Sequence, residues 1–390
     1  MLPCEGMKWS LGLLSRQDVV AISDANAVGL MKEAGGILIG VTNISQVGFW
    51  TETYNPVYGF TRNPYEIYKS VGGSCGGEAC IVAACGSPIG IGIDFGGCLR
   101  IPANRCGVFT HKSSPKLISI QGNPLFSNST ENNIAVIGPI VKYSEDLSFI
   151  ISILTKLDVS RFLFDDDIQS RNIQYFYSSR SLCGYASPVR KEVENNIKKI
   201  VNELNRYSVN EAISLEIDET VDTIPIWGYK LAECNSDFKE LMRNEKNEEI
   251  RPIREAINYF FGKREYCLYT IYNLLGLIAI KPTNDDQLKQ VLDKIKDIFL
   301  DILGDHSVLL FPTEPLPLGY PYESLLRPHN NSYCALWSAL EFPVTQVPVG
   351  LIKGCPMGVQ IVAGPYNDHL CLAAARTLEL LLGGYKEPSS

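Results

Sequence analysis

Residues 72–112 read GGSCGGEACIVAACGSPIGIGIDFGGCLRIPANRCGVFTHK, and more of the architecture hangs on this stretch than on any other. Glycines at 72, 73, 76 and 77 surround Ser74 and Cys75, so the backbone there takes conformations that a Cβ would forbid. Something must approach that backbone closely. Small apolar residues follow, and Ile89–Ile93 reads as a short buried strand. Then Asp94-Phe95-Gly96-Gly97-Cys98 ends the strand in a glycine pair and sets a nucleophilic side chain beside consecutive backbone N–H groups, which can hold an oxyanion.

Plainer readings of the stretch account for less. Tight turns explain either glycine cluster alone but not both so close together. Gly90-x-Gly92 lacks the rest of a dinucleotide fingerprint and its acidic ribose partner. Cys75, Cys80 and Cys85 are spaced by five, which fits no zinc knuckle, so no metal or cofactor is expected.

Outward from this segment, Asp24 is placed to cap a helix through Ala34, stopped by Gly35-Gly36 before a buried strand over Ile37–Val41. Helix and strand alternate, so the class is α/β. From about Tyr143 to Leu303 the pattern changes to longer helices and charged loops. Thr283 or Asn284 caps one of these, with Leu288, Val291, Leu292, Ile295, Ile298 and Ile302 at helical spacing. After Gly304, strands are expected at Val308–Phe311 and Val359–Val362, and a closing helix over Asp368–Leu382. One domain over 1–390 follows, with 1–142 and 304–390 as its sheet core and 143–303 as a helical elaboration.

The chain has 390 residues, 45% hydrophobic and 20% charged, which is an ordinary globular composition. Its net charge of −8 and absence of Lys/Arg clusters argue against a nucleic-acid partner. The twelve cysteines are scattered, favouring reduced thiols. The start resembles no signal peptide, so the Asn43, Asn128 and Asn331 glycosylation triplets carry little weight. Tyr266–Ile280, the most apolar segment, runs about fifteen residues against the roughly twenty of a spanning helix. It reads as a buried helix, or as one lying in a membrane surface with Lys263, Arg264 and Lys281 as headgroup anchors. The location expected is cytoplasmic or peripheral to a membrane.

The 72–112 segment resembles the amidase signature, whose usual form is GGSSGG, a small-residue helix, then G-x-G-[ST]-D-x-GGS-[IV]-R-x-P. The match holds at Gly72, Gly73, Ser74, Gly76, Gly77, Gly90, Gly92, Asp94, Gly96, Gly97, Arg100 and Pro102. Flanking residues extend it, including Thr42-Asn43, Asn63-Pro64-Tyr65, Phe311-Pro312-Thr313 and Gln360. The closing PYNDHLCLAAA is similar to the fatty-acid amide hydrolase branch. The resemblance implies an amidase signature fold: a large, mostly parallel or mixed sheet flanked by helices.

It also implies a triad of lysine, a serine in a cis peptide and a nucleophilic serine, acting on long-chain fatty-acid amides or esters. The middle serine corresponds to Ser74, and Cys98 stands in the nucleophile's place. The lysine's place falls just upstream of Met1. Phe95, Gly96, Gly97 and Cys98 would supply oxyanion donors, Asp94 and Arg100 would brace the loop, and Thr42, Asn43 and Phe49 would lie near the substrate entrance. Lys8 and His111 are the nearest substitutes for the base.

An impaired hydrolase is therefore expected. Its rivals are an active cysteine amidase or esterase, a pseudoenzyme that binds lipid amides, and a chain whose start, with a membrane anchor, lies upstream. Homodimerisation is a further expectation. The Cys98 thiol, with no nearby cation, is expected to keep its free pKa of about 8.5.

Overall fold

Five consecutive residues of one strand, Ser307–Phe311, show how the core is built: Val308 and Leu310 pack to one side of a sheet, Leu309 and Phe311 to the other. That period of two, with both faces apolar, marks a strand covered by helices on each side. The computed structural model describes residues 1–123, 133–162, 170–217, 221–233, 241–243, 250–279 and 285–388.

The strands are β1 (Tyr54–Asn55), β2 (Gly59–Phe60), β3 (Ile89–Asp94), β4 (Phe109–Lys112), β5 (Val136–Val141), β6 (Gln174–Tyr177), β7 (Ile213–Ser214), β8 (Ser307–Phe311), β9 (Val344–Ile352) and β10 (Cys355–Ala363). β1 and β2 form a small hairpin; the other eight share a sheet in the order β3, β5, β4, β9, β10, β8, β6, β7. The sheet is mixed, as expected, but not mostly parallel. Among the described residues only β6 with β7 and β6 with β8 pair in parallel, while β3–β5, β4–β5, β4–β9, β9–β10 and β8–β10 are antiparallel.

The helices are α1 (Asn26–Glu33), α2 (Gly76–Ala83), α3 (Arg100–Cys106), α4 (Ser144–Thr155), α5 (Lys191–Tyr207), α6 (Thr223–Glu233), α7 (Pro252–Phe260), α8 (Leu268–Ala279), α9 (Asp285–Leu303), α10 (Glu323–Leu326), α11 (Ser332–Ala339) and α12 (Asp368–Leu382). Ile151 of α4, Val201 of α5 and Leu378 of α12 cover one face of the sheet. Phe299 of α9 and Trp337 of α11 cover the other. A further cluster joins α2, α3 and the β3 edge to Ile271 and Leu274 of α8. β6 and β7 belong to the sheet, so residues 143–303 are not wholly a helical elaboration.

Two expectations at the amino-terminal end fail. Ile37–Val41 forms no strand and is not buried: Ile37 is 88% and Ile39 61% exposed. A continuous apolar run signals a need for cover without saying what supplies it. Asp24 does not cap α1, whose N-cap is Ala25; its carboxylate takes the Lys32 ammonium at 2.7 Å and the Glu5 amide at 2.7 Å instead. The helix and strands expected after Gly304 appear in place, whereas Asn128, Lys281, Thr283 and Asn284 lie outside the described residues. Every described cysteine is a free thiol.

Candidate active site

The two glycine loops of the 72–112 segment meet. The Cys75 amide donates to the Cys98 carbonyl at 3.2 Å, which sets the Gly72–Cys75 loop against the end of β3. The close approach that the glycines required is made by the chain's own backbone and side chains: Pro102 at Gly72, residues 50–53 at Gly73 and Gly76, and Thr42-Asn43 at Gly77. A Cβ on Gly73 would lie 2.6 Å from the Glu52 nitrogen and 2.7 Å from the Trp50 carbonyl oxygen, both backbone atoms that cannot give way. The Gly73–Ser74 peptide is cis.

Asp94 organises the second loop. Its carboxylate accepts the amides of Gly96 (3.1 Å), Gly97 (2.7 Å) and Leu99 (3.1 Å), so the chain wraps tightly around it. Arg100, at the start of α3, closes the wrap with Nε and Nη2 each 3.0 Å from a carboxylate oxygen. Both side chains are fully buried. Arg100 is itself anchored by Ser338 of α11 (2.8 Å) and Gln360 of β10 (3.1 Å). Burial alone would raise the Asp94 pKa; the adjacent guanidinium and the amides overcome that and hold it well below the usual carboxylate range. This is a buried brace behind the Phe95–Cys98 loop, not a surface ion pair. Gly97 (φ +116°) adopts a conformation open to glycine, and a Cβ there would sit 2.7 Å from Cys334 Cβ and 2.9 Å from Ile101 Cδ1.

Cys98 is buried, its thiol directed at the Gly48 carbonyl at 3.8 Å. Its pKa is pushed up to about 12, first by burial, then by the negative charge of Asp94 and by Cys75, while hydrogen bonding from Ser74 acts to lower it. The expectation of a free-like value is therefore wrong, because a buried thiol loses the water that would stabilise its thiolate. Ser74 is fully buried, and its Oγ makes no hydrogen bond of complete geometry even though it influences the Cys98 thiol.

The other residues that the sequence singles out are all placed. Phe49 packs on Phe95 with ring centroids 5.8 Å apart, at the site. Thr42 and Asn43 are occupied internally: Thr42 Oγ1 donates to Glu78 (2.5 Å), and Asn43 Nδ2 donates to Gly59 and Thr61. They pack under the start of α2, where the Gly77 amide donates to the Asn43 carbonyl at 3.2 Å. Lys8 lies on the surface paired with Asp18 at 2.7 Å, and His111 is buried on β4 between Thr345 and Asp368. Neither stands in for the base.

Other contributors escaped the sequence reading. Trp227 of α6 donates to the Phe95 carbonyl at 2.5 Å and covers Gly96. Glu52, buried beside Gly73, accepts from Tyr269 of α8 (2.9 Å), the amides of Tyr322 and Ser324, and the Ser324 hydroxyl. Each acts across more than a hundred residues of sequence. A small cleft lined by Glu52, Ile101, Arg105, Glu314 and Arg327 adjoins the residues packed against Gly73 and Gly97. Of the apolar 266–280 segment, the described side chains are mostly buried; Tyr266, Tyr269, Ile271 and Leu274 face inward, and Tyr272 is exposed.

A mixed sheet carrying two apposed glycine loops, a cis Gly–Ser peptide and an Asp–Arg brace defines the amidase signature class of hydrolases. The amidase family's profile matches residues 2–372, and the chain belongs to that family. It is 32% identical to human fatty-acid amide hydrolase 2 over 393 residues, covering 98% of this chain and 74% of the relative. Against zebrafish fatty-acid amide hydrolase 2-A the identity is 34% over 394 residues, with the same coverage. Among solved structures, a fatty acid amide hydrolase superposes with TM-score 0.76 at 21% identity, covering 98% of this chain and 72% of that one. A 6-aminohexanoate cyclic dimer hydrolase superposes with TM-score 0.78 at 19% identity, covering 100% and 84%.

Proposed function

We propose that the site performs acyl transfer to Cys98 from long-chain fatty-acid amides or esters, with amide turnover severely impaired. The apposition of the two loops, through the 3.2 Å bond from Cys75 to Cys98, is the observation that carries this reading. The Cys98 sulfur attacks the acyl carbonyl, a C–S bond forms, and the C–N or C–O bond to the leaving group breaks; water then hydrolyses the thioester. The thiol proton is given up to hydroxide by way of the Ser74 hydroxyl; an activated alkoxide or phenoxide departs as an anion, whereas an amine must take its proton from water. The oxyanion falls to the amides of Phe95, Gly96, Gly97 and Cys98; those of Gly96 and Gly97 must share their protons with Asp94.

Impairment follows from the thiol's environment. Burial, Asp94, Cys75 and Ser74 act on it most strongly, and none is cationic. With a pKa of about 12, the thiolate fraction near pH 7 is of order one in a hundred thousand. An amine leaving group needs a proton that no described side chain is positioned to deliver through Ser74, whereas an activated ester leaves without one. Long acyl chains are assigned from the relatives' names; human fatty-acid amide hydrolase 2 is 32% identical. Mass spectrometry of the chain after exposure to an activated acyl ester tests the reading: one acyl group on Cys98 supports it, and no adduct at any pH up to 10 leaves a binding protein.

A further inference from the structure

Cys85 is the one described cysteine that stands exposed; the others are buried or half-buried. It lies just past the end of α2, and two side chains from distant parts of the chain meet its sulfur. Lys142 Nζ, at the exit of β5, donates to Sγ at 3.4 Å, and the Tyr385 hydroxyl lies 3.5 Å away. The Tyr385 proton is already committed to the Ala83 carbonyl at 2.7 Å, so at that contact the thiol donates. The Lys142 ammonium also faces the Tyr385 ring, 5.7 Å from its centroid, and the three side chains hold one another in place. Among the described residues no second thiol touches Cys85, so the nucleophile at hand is the Lys142 nitrogen.

We propose that Cys85 and Lys142 are the two ends of a covalent bridge that hydrogen peroxide closes and thiols reopen. Cys85 Sγ attacks one peroxide oxygen, the O–O bond breaks, and the departing hydroxide leaves with the thiol proton as water, so that a sulfenic acid remains. Lys142 then gives one ammonium proton to solvent and its nitrogen attacks that sulfur. An S–N bond forms as the S–O bond breaks, and the hydroxide departs with a second proton of nitrogen as water. The product is a sulfenamide, lighter by two hydrogens than the reduced chain. Two molecules of an external thiol return the free thiol and amine and become a disulfide. Exposure admits the peroxide, and the ammonium stabilises the negative charge that sulfur carries into the first step; buried Cys98 has neither advantage. The bridge joins the exit of α2, which begins beside Ser74, to the end of β5, which pairs with β3 from Ile89 to Asp94. It ties together residues 57 apart in sequence and does not rest on the acyl-transfer reading.

Treating the 390-residue chain with hydrogen peroxide and mapping its peptides, unreduced, by tandem mass spectrometry tests the proposal. The expected product is a Cys85–Lys142 cross-linked peptide, lighter by two hydrogens than its separate parts and lost after dithiothreitol. Bridging raises the midpoint of thermal unfolding by about 5 °C, because the cross-link restricts the unfolded chain, and reduction reverses the rise. Lys142→Arg keeps the charge and removes the nucleophile, so its Cys85 stops at a sulfenic acid that dimedone traps, with no cross-link. Cys85→Ser gives neither product. Melts of the reduced variants check that both fold as the wild type does. Peroxide that carries wild-type Cys85 to sulfinic acid without a cross-link, or leaves it unmodified while half-buried Cys80 or Cys355 oxidises, overturns the proposal. So does a bridge that survives in Lys142→Arg. Acylation of Cys98 stays at the wild-type rate in Cys85→Ser, and a failure of that labelling in the wild type strikes the acyl-transfer reading alone.

Discussion

Arg100 holds Asp94 by two bonds of 3.0 Å in a fully buried pair, and the same carboxylate gathers the amides of Gly96, Gly97 and Leu99 that shape the turn into Cys98. Fold and site are thus one construction. Removing either partner strands a charge away from water.

Arg100→Met is expected to cost about 3–5 kcal/mol of unfolding free energy, because Asp94 is left buried and unpaired. Asp94→Asn in the same chain recovers part of that loss, as chemical denaturation of the single and double variants will show. The pair also sets an acid limit. The folded pKa of Asp94 lies below its unfolded value, so its contribution is complete above about pH 4 and is lost only as pH falls towards the folded value.

At the alkaline end the sign reverses. Cys98 is raised to about 12 and Cys75 to about 11, against an unfolded value of about 8.5, so their contribution is full below pH 8.5 and drains away above it. Unfolding free energy measured from pH 8 to pH 10 should fall, and Cys98→Ser should make the fall shallower by about 1 kcal/mol per pH unit on average over that range. An unchanged slope would mean that the thiol is not held in the buried state described.

Gly97→Ala places a Cβ 2.7 Å from that of Cys334 at a backbone φ of +116°. The combined strain and overpacking should destabilise the protein by about 2–4 kcal/mol. Thermal unfolding will register it; a variant as stable as the wild type would show that the loop is looser than its contacts imply.

How far the sequence disclosed this arrangement varies by residue. The loops at 72–77 and 94–98 were legible because glycine clusters report a local steric need, and α12 because its apolar spacing and boundaries are local as well. The antiparallel pairing of β4 with β9 was not, since strand direction there depends on connections that span more than two hundred residues. Trp227 and Glu52 reach the site only through tertiary contacts, at 132 residues from Phe95 and 217 residues from Tyr269 respectively. Exposure of Ile37 and the rise in the Cys98 pKa have a shared cause: burial is a property of what surrounds a residue, and composition does not state it.

The central claim is that Cys98 retains acyl-transfer chemistry while amide turnover is lost. Incubating the purified chain in parallel with oleamide and with an activated acyl ester, and following both by mass spectrometry between pH 7 and pH 10, tests it most directly. The account predicts negligible oleamide hydrolysis and slow acylation of Cys98, about tenfold faster per pH unit and absent in Cys98→Ala. Robust oleamide hydrolysis, or an ester that never labels Cys98, would contradict it.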